Sequence, residues 1–192
     1  MVGGERMAYN RKEIFTIPNI LSIIRLILVP VFVSFYLNAT STQDYRIAGG
    51  IILFSGITDL VDGIIARKFN QITDIGKLID PVADKVTQAA IVFCLMVRFQ
   101  YMWIIVVLFL VKEFSMLIWN IVLIKKNKKL DGALWYGKVS TAVFYACMTI
   151  LVAFPTISNV VANGLMLITG FFLLLSFISY TKIFVQMYQS DK

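Results

Sequence analysis

Carboxylate side chains are concentrated between positions 59 and 84 of a chain that is otherwise rich in apolar residues. Five of the eleven acidic residues lie there, and four of them form two closely spaced pairs. Asp59 and Asp62 are three residues apart and Asp80 and Asp84 are four apart, so each pair would share one face of a helix. The segment between the pairs is long enough for the chain to leave one helix and return on the next. The spacing therefore predicts that four carboxylates converge.

Four converging carboxylates need a counter-charge, because like charges repel strongly where the dielectric constant is low. Oxygen-only ligands at this density suit Mg²⁺, Mn²⁺ or Ca²⁺ better than zinc, and two divalent ions would nearly neutralise the cluster. The alternative is that the aspartates merely cap helices near a membrane surface. It is disfavoured because ionisable residues inside apolar spans are costly and usually functional. The pattern predicts a site for divalent cations.

The full pattern resembles the signature of the CDP-alcohol phosphatidyltransferase family. It reads D-x2-D-G-x2-A-R-x8-G-x3-D-x3-D from Asp59 to Asp84, and every fixed position is met. The resemblance implies a membrane transferase that moves a phosphatidyl group from CDP-diacylglycerol to an alcohol and releases CMP. It implies that Asp84 is the base for the acceptor hydroxyl. The implied ligands of two Mg²⁺ or Mn²⁺ ions per protomer are Asp59, Asp62, Asp80 and Asp84, and the implied CDP-binding residues are Gly63, Ala66, Arg67 and Gly76.

A polar stripe precedes the signature in the first apolar run. Asn19, Ser22 and Arg25 follow i, i+3, i+6 spacing and so share one face of a helix. The stripe either caps the helix and snorkels its arginine to the surface, or faces the aspartates, which we favour. The segment resembles an N-x2-[ST]-x2-R pattern of the phosphatidylglycerophosphate and cardiolipin synthases within the family.

Two lysines stand where a charge needs a partner. Lys112 lies with Glu113 mid-way along an apolar run, either as an internal ion pair or as part of the active-site network, which we favour. Lys138 stands at the start of a predicted helix, where a cation opposes the macrodipole and so answers an anion. Compared with the Arg-Glu and G-K-x-K-T segments of the family, the chain carries Lys112 for arginine and Ser140 for the second lysine. We expect Arg25, Lys112 and Lys138 to bind the acceptor phosphate.

The composition predicts an integral membrane protein without nucleic-acid partners. Hydrophobic residues make up 59% of the 192 positions and the mean hydropathy is +0.81, above the range of soluble domains. The absence of histidine excludes histidine acid–base catalysis and His-ligated zinc. The net charge of +7 indicates a basic rim facing anionic lipid and substrates. Cys94 and Cys147 lie in apolar runs, where we expect packing rather than a disulfide.

The elements that must position these residues are six membrane-spanning helices, preceded by a short interfacial helix at Tyr9–Ile17. Met1–Glu5 is typical of a cloning remnant and Met7 could be the natural start, so we treat residues 1–7 as a remnant and residues 8–192 as one membrane domain. Lysine and arginine in the short loops place both termini and the signature on the cytoplasmic side of the cell membrane. The six spans are expected at Asn19–Leu37, Tyr45–Lys68, Asp80–Val97, Tyr101–Ile124, Leu134–Phe154 and Ser158–Tyr188.

The sequence leaves the acceptor open. Glycerol 3-phosphate, which gives phosphatidylglycerophosphate, is the favoured acceptor. The resemblance also implies that the enzyme is a homodimer. Phosphatidylglycerol, which gives cardiolipin, is the second candidate because of the departures at Lys112 and Ser140; serine or inositol phosphate is the third. A different class, a non-catalytic metal-binding membrane protein or cation transporter, is disfavoured because metal transport has no need of the small residues beside the carboxylates.

Overall fold

The described residues fold into a bundle of six long helices. A computed structural model describes residues 16–69, 73–126, 128 and 134–190, except for the side chains of Arg67, Asp74 and Lys77. Residues 9–15 of the predicted interfacial helix and the predicted remnant at 1–7 lie outside these residues. The helices are α1 (Ile17–Leu37), α2 (Thr42–Lys68), α3 (Asp74–Met96), α4 (Met102–Lys125), α5 (Trp135–Ala153) and α6 (Asn159–Gln189).

Hydroxyl side chains fix the starts of three of these helices. Ser41 and Asp44 form a capping box in which the Ser41 hydroxyl accepts from the Asp44 N–H, while the Asp44 carboxylate accepts from the Ser41 N–H. The Ser158 hydroxyl caps α6 by accepting from the Val161 N–H. Thr73 caps α3 by accepting from the Gly76 N–H at 3.0 Å.

The Thr73 cap makes α3 begin earlier than the sequence predicted. The predicted start at Asp80 was wrong by six residues, since α3 starts at Asp74 and carries Pro81 within its first turns. Gly76, Asp80 and Asp84 consequently follow one another at four-residue intervals on a single helix. They share one face of α3.

Five of the six described helices are long and apolar enough to cross a membrane: α1, α2 as far as Ala66, α4, α5 and α6. The remaining helix, α3, carries Asp80, Asp84 and Lys85 in its first half. Its 23 residues would extend about 35 Å, enough to cross the hydrocarbon core. The prediction of an all-α integral membrane protein is confirmed, and the assignment of α3 as the sixth span stays a prediction.

The larger apolar core of the described residues lies in the half of the bundle away from the aspartates. It is built where α1, α3 and α5 end and where α2, α4 and α6 begin, with Phe32, Ile52 and Leu95 among its buried members. Cys94 and Cys147 are buried in this core as free thiols, as predicted. In the other half, α1 packs on α2 and α3, and α2 packs on α5. Polar side chains from these helices meet there.

Candidate active site

The polar stripe of α1 lies against the aspartates of α2 and α3, as its spacing predicted. The Arg25 guanidinium donates to Asp59 and Asp62, and its Nη2 also reaches Asp80 Oδ1 at 3.3 Å. The Ser22 hydroxyl donates to the same oxygen of Asp80 at 3.3 Å. The Arg25 side chain is fully buried. Because its positive charge is desolvated, it must be compensated by the negative charges of these carboxylates. Arg25 thereby joins three helices at one point.

Asp59, Asp62 and Asp80 form a compact carboxylate group. Each offers one oxygen, and the three oxygens lie within 4.8 Å of one another. Asp62 is buried, with 2% of its surface exposed. With one arginine against three carboxylates the group keeps two net negative charges, the charge that one divalent cation neutralises. The all-oxygen donor set and this residual charge fit Mg²⁺ or Mn²⁺.

Asp84 stands outside that group of three and has its own set of partners. Its Oδ1 accepts from Gln88 Nε2 at 2.9 Å and from the Tyr145 hydroxyl at 3.2 Å. Its Oδ2 lies 3.2 Å from the Lys85 ammonium. Three donors from two helices therefore fix the orientation of this carboxylate.

A chain of alternating charges leads from Asp84 to α4. Lys85 Nζ lies 3.2 Å from Glu113 Oε1, and the same oxygen accepts from Lys112 Nζ at 2.9 Å. Lys112 is buried, with 6% of its surface exposed. The pairing of Lys112 with Glu113 and its link to the site network, which the sequence presented as alternatives, both occur.

A cavity of about 590 Å³ brings the two groups of charges together. Its volume lies within the usual range for binding sites of small molecules. Carboxylates and lysines from four helices line it, together with apolar residues of α2 and α5. Arg25 is not among the described residues that line this cavity. The charged lining residues are Asp59, Asp80, Asp84, Lys85, Lys112 and Lys138.

Small residues of the signature allow close contact between helices. A side chain at Gly76 would collide with Asn19 Oδ1 and lie 3.0 Å from Thr73 Oγ1. Asn19 in turn donates to Thr73 Oγ1 at 3.0 Å, so α1 packs directly on the capped start of α3. Gly63 lines the cavity and Ala66 lies one turn further along α2. The side chain of Arg67 lies outside the described part of the chain.

Lys138 is positioned by contact between α5 and α6. The Tyr180 hydroxyl accepts from the Leu134 N–H at 3.0 Å, at the residue before α5 begins. The absence of a side chain at Gly137 leaves the space that the Tyr180 ring occupies. Lys138 follows directly, is exposed, and lines the cavity. Ser140, where the family pattern has a second lysine, is buried.

Three polar residues of the site were not predicted from the sequence. Lys85 is a charge within a mostly apolar helix, and Gln88 is four residues from Asp84 on the same helical face, so both carried a usable signal. Tyr145 lies in an apolar run of α5, where nothing distinguishes it from an aromatic residue of the core. Only the packing of α5 on α2 and α3 brings it to Asp84.

The site of this membrane protein combines carboxylates suited to cations with lysines suited to anions. Comparison with known proteins identifies the family. The sequence profile described as CDP-alcohol phosphatidyltransferase matches residues 15–178. The chain belongs to the CDP-alcohol phosphatidyltransferase family. The resemblance inferred from the signature is confirmed, and with it the prediction that the protein is a phosphatidyltransferase enzyme.

Individual relatives agree with this family. A CDP-diacylglycerol–glycerol-3-phosphate 3-phosphatidyltransferase of Aquifex aeolicus is 30% identical over 86% of this chain and 93% of its own length. The enzyme of the same name from Rickettsia felis is 34% identical over 51% of this chain and 54% of its own. A cardiolipin synthase (CMP-forming)/mitochondrial hydrolase fusion protein of Schizosaccharomyces pombe is 42% identical over 46% of this chain and 14% of its own. The chain thus matches less than two thirds of the length of the last two.

Proposed function

We propose that the protein transfers the phosphatidyl group of CDP-diacylglycerol to glycerol 3-phosphate, giving phosphatidylglycerophosphate and CMP. The observation that carries this proposal is that carboxylates on α2 and α3 and lysines on α3, α4 and α5 line one and the same cavity. Carboxylates suit the cations that accompany a pyrophosphate, and lysines suit the phosphate of an acceptor. The name of the Aquifex relative, which matches along most of both chains, supports the same reaction.

The compact carboxylate group is the proposed metal site. Asp59, Asp62 and Asp80, joined by Asp84, would hold two Mg²⁺ or Mn²⁺ ions per protomer. Bound there, the ions would offset the charge of the pyrophosphate and of the attacking and leaving oxygens. Arg25 already offsets one of the negative charges and holds Asp59 and Asp62 in place from α1.

Asp84 is the proposed general base. Its carboxylate lines the cavity and is oriented by donors on α3 and α5, as a base for a positioned hydroxyl requires. Gly63 and Ala66 would let the CDP moiety approach the backbone of α2 closely, and Arg67 would bind its diphosphate. Gly76 stays a predicted CDP-binding residue, although Asn19 occupies the space where its side chain would lie.

The balance of charge around Lys112 supports a phosphate monoester as the acceptor. Lys85, Lys112 and Lys138 line the cavity with three positive charges, and Glu113, which pairs with Lys85 and Lys112, offsets one of them. Two positive charges therefore remain once Asp84 engages a metal. A phosphate monoester carries about −1.5 to −2 at pH 7, whereas the phosphodiester of phosphatidylglycerol carries a single charge. Arg25 stays a predicted ligand of the acceptor, although contact with it would require the guanidinium to leave at least one carboxylate.

The second candidate acceptor is phosphatidylglycerol, which would make the protein a cardiolipin synthase. The name of the Schizosaccharomyces relative, which is 42% identical over 89 residues, favours it. A non-catalytic cation-binding protein or transporter is disfavoured by membership of a transferase family.

The decisive experiment measures CMP release by the purified protein from CDP-diacylglycerol with Mg²⁺ or Mn²⁺. Glycerol 3-phosphate, phosphatidylglycerol, serine and inositol phosphate are supplied separately as acceptors, and the lipid product is identified by mass spectrometry. Phosphatidylglycerophosphate from the first acceptor alone supports the proposal. Cardiolipin from the second, with no product from the first, would overturn the assignment of the acceptor.

The same proposal includes the location, orientation and assembly of the enzyme. We expect residues 8–192 to form a single domain in the cell membrane, with both termini and the cavity on the cytoplasmic side and with two copies forming a homodimer. The water-soluble acceptor would then enter from the cytoplasm, while the diacyl substrate enters sideways from the bilayer. Labelling of cysteines introduced at each terminus, in sealed vesicles, tests the orientation.

A further inference from the structure

We propose that Tyr145 is a positioning residue for the reaction, acting through Asp84. Its hydroxyl donates to Asp84 Oδ1 at 3.2 Å, and the tyrosine is buried, with 9% of its surface exposed. This inference rests on the proposed role of Asp84 as the group that activates the acceptor. It assigns to α5 a part in the chemistry that no residue of the signature supplies.

The backbone of α2 makes room for the tyrosine. A side-chain carbon at Gly56 would lie 3.2 Å from the Tyr145 ring, closer than ordinary van der Waals contact. Gly56, on α2, therefore lets the ring lie flush against the helix that carries Asp59 and Asp62. The hydroxyl then reaches Asp84 on α3. The position of Tyr145 is set by packing with α2, and its hydroxyl is one of the donors that orient Asp84.

The hydrogen bonds divide the two oxygens of Asp84 between two tasks. Oδ1 accepts from both Tyr145 and Gln88, so its lone pairs are engaged by fixed donors. Oδ2 meets only the Lys85 ammonium, which it shares with Glu113, among the hydrogen bonds and ion pairs of the described residues. We infer that Oδ2 is the oxygen that faces the acceptor hydroxyl or a metal. Loss of the tyrosine hydroxyl would let the carboxylate rotate away from that direction.

The test compares Tyr145→Phe with the wild-type enzyme in full kinetic assays against both substrates. The phenylalanine keeps the ring against Gly56 and removes only the donor. We expect kcat to fall roughly 10-fold or more, because a hydrogen bond to a charged group is lost. The KM values of CDP-diacylglycerol and of the acceptor should stay within about 2-fold of wild type. Tyr36→Phe, which removes another buried tyrosine hydroxyl at the far end of α1, is the matched control and should leave kcat unchanged.

Different outcomes separate this inference from the proposed function. A wild-type protein that releases no CMP from CDP-diacylglycerol with any acceptor would overturn the proposed function. An active wild type with an unaltered kcat in Tyr145→Phe would overturn the inference alone. A raised KM for either substrate at constant kcat would also overturn it, because the tyrosine would then be binding substrate directly.

A second variant keeps the test available if Tyr145→Phe is not stable. Gln88→Met removes the other donor to Asp84 Oδ1 with little change in volume, and the same fall in kcat at constant KM is expected. If both variants fold, their double variant should lose less than the product of the two single effects, because both act on one oxygen. Multiplicative losses would show that the two residues act separately, contrary to the inference.

Discussion

Arg25 and Asp62 form a buried ion pair within the carboxylate group, and 0% and 2% of their side-chain surfaces are exposed. Burial of both charges is favourable only if opposite charges and hydrogen bonds compensate each of them, since desolvation costs several kcal/mol per ion. The same guanidinium also serves Asp59 and Asp80. The arginine therefore stabilises the folded arrangement of the three carboxylates when no divalent cation is bound.

Replacement of Arg25 by methionine should expose this dependence. Without the guanidinium, three carboxylates are left close together in a poorly solvated setting, and the free energy of unfolding in chelator should fall by about 3–5 kcal/mol. Added Mg²⁺ should recover part of the loss, because the metal supplies the missing positive charge. Thermal unfolding in detergent, with and without Mg²⁺, measures both effects.

Arg46 offers the matched control for that experiment. It lies near the start of α2, is exposed, and belongs to the opposite end of the bundle. Arg46→Met should change the stability by less than about 0.5 kcal/mol, with no dependence on Mg²⁺. Equal stability of Arg25→Met and wild type in chelator would contradict the role given to the buried pair.

Removal of divalent cations should abolish transfer. The three clustered carboxylates keep two net negative charges beside Arg25, so an incoming pyrophosphate would be repelled without metal. We expect EDTA to eliminate CMP release, and Mg²⁺ or Mn²⁺ to restore it. Full activity in excess chelator would show that the carboxylates act without a metal.

Much of this site could be predicted from the sequence because its parts repeat at helical spacing. The pairs Asp59/Asp62 and Asp80/Asp84, and the stripe that ends at Arg25, each place polar groups on one face within an apolar run. The apolar runs themselves gave the six helices to within a few residues, except at the start of α3. There the single hydroxyl of Thr73 decides where the helix begins.

What the sequence could not provide is the tertiary arrangement of residues without a distinctive local pattern. The division of the four aspartates into a group of three and a separate Asp84 depends on how α3 is rotated against α2 and α5. Tyr145 meets Asp84 across 61 positions of sequence. Contacts of this kind result from helix packing, which no spacing within one helix encodes.

Replacement of Asp84 by asparagine should reduce turnover by a factor of roughly 10²–10⁴, as expected for loss of a positioned base. Because Asp84 lies outside the group of three carboxylates, binding of CDP-diacylglycerol should survive better than in Asp59→Asn. Single-turnover kinetics and binding of a fluorescent CDP-lipid separate the two steps. An Asp84→Asn enzyme with a near-normal rate would rule this residue out as the base.

Replacement of Gly76 by alanine should disturb the contact between α1 and α3. The added carbon would collide with Asn19 Oδ1, whose side chain bonds to the residue that caps α3. We expect a lower unfolding temperature and lower activity. Gly50→Ala is the control, since nothing lies within 4 Å of a carbon added there, and higher helix propensity should leave it as stable as wild type or up to about 1 kcal/mol more stable. Equal unfolding temperatures for the two variants would contradict the close contact.

Replacement of Lys138 by alanine tests the proposed acceptor most directly. Lys138 is exposed at the start of α5, lines the cavity, and has no carboxylate within ion-pairing distance among the described side chains. A phosphate monoester would provide the charge that this lysine needs. The KM of glycerol 3-phosphate should therefore rise roughly 10-fold, as for loss of one charge-assisted hydrogen bond. The KM of CDP-diacylglycerol should change little.

The control is Lys182→Ala, which replaces an exposed lysine of α6 outside the cavity lining and should leave both constants unchanged. If the KM of CDP-diacylglycerol rises instead, Lys138 binds the nucleotide substrate, and the acceptor phosphate must lie elsewhere in the cavity.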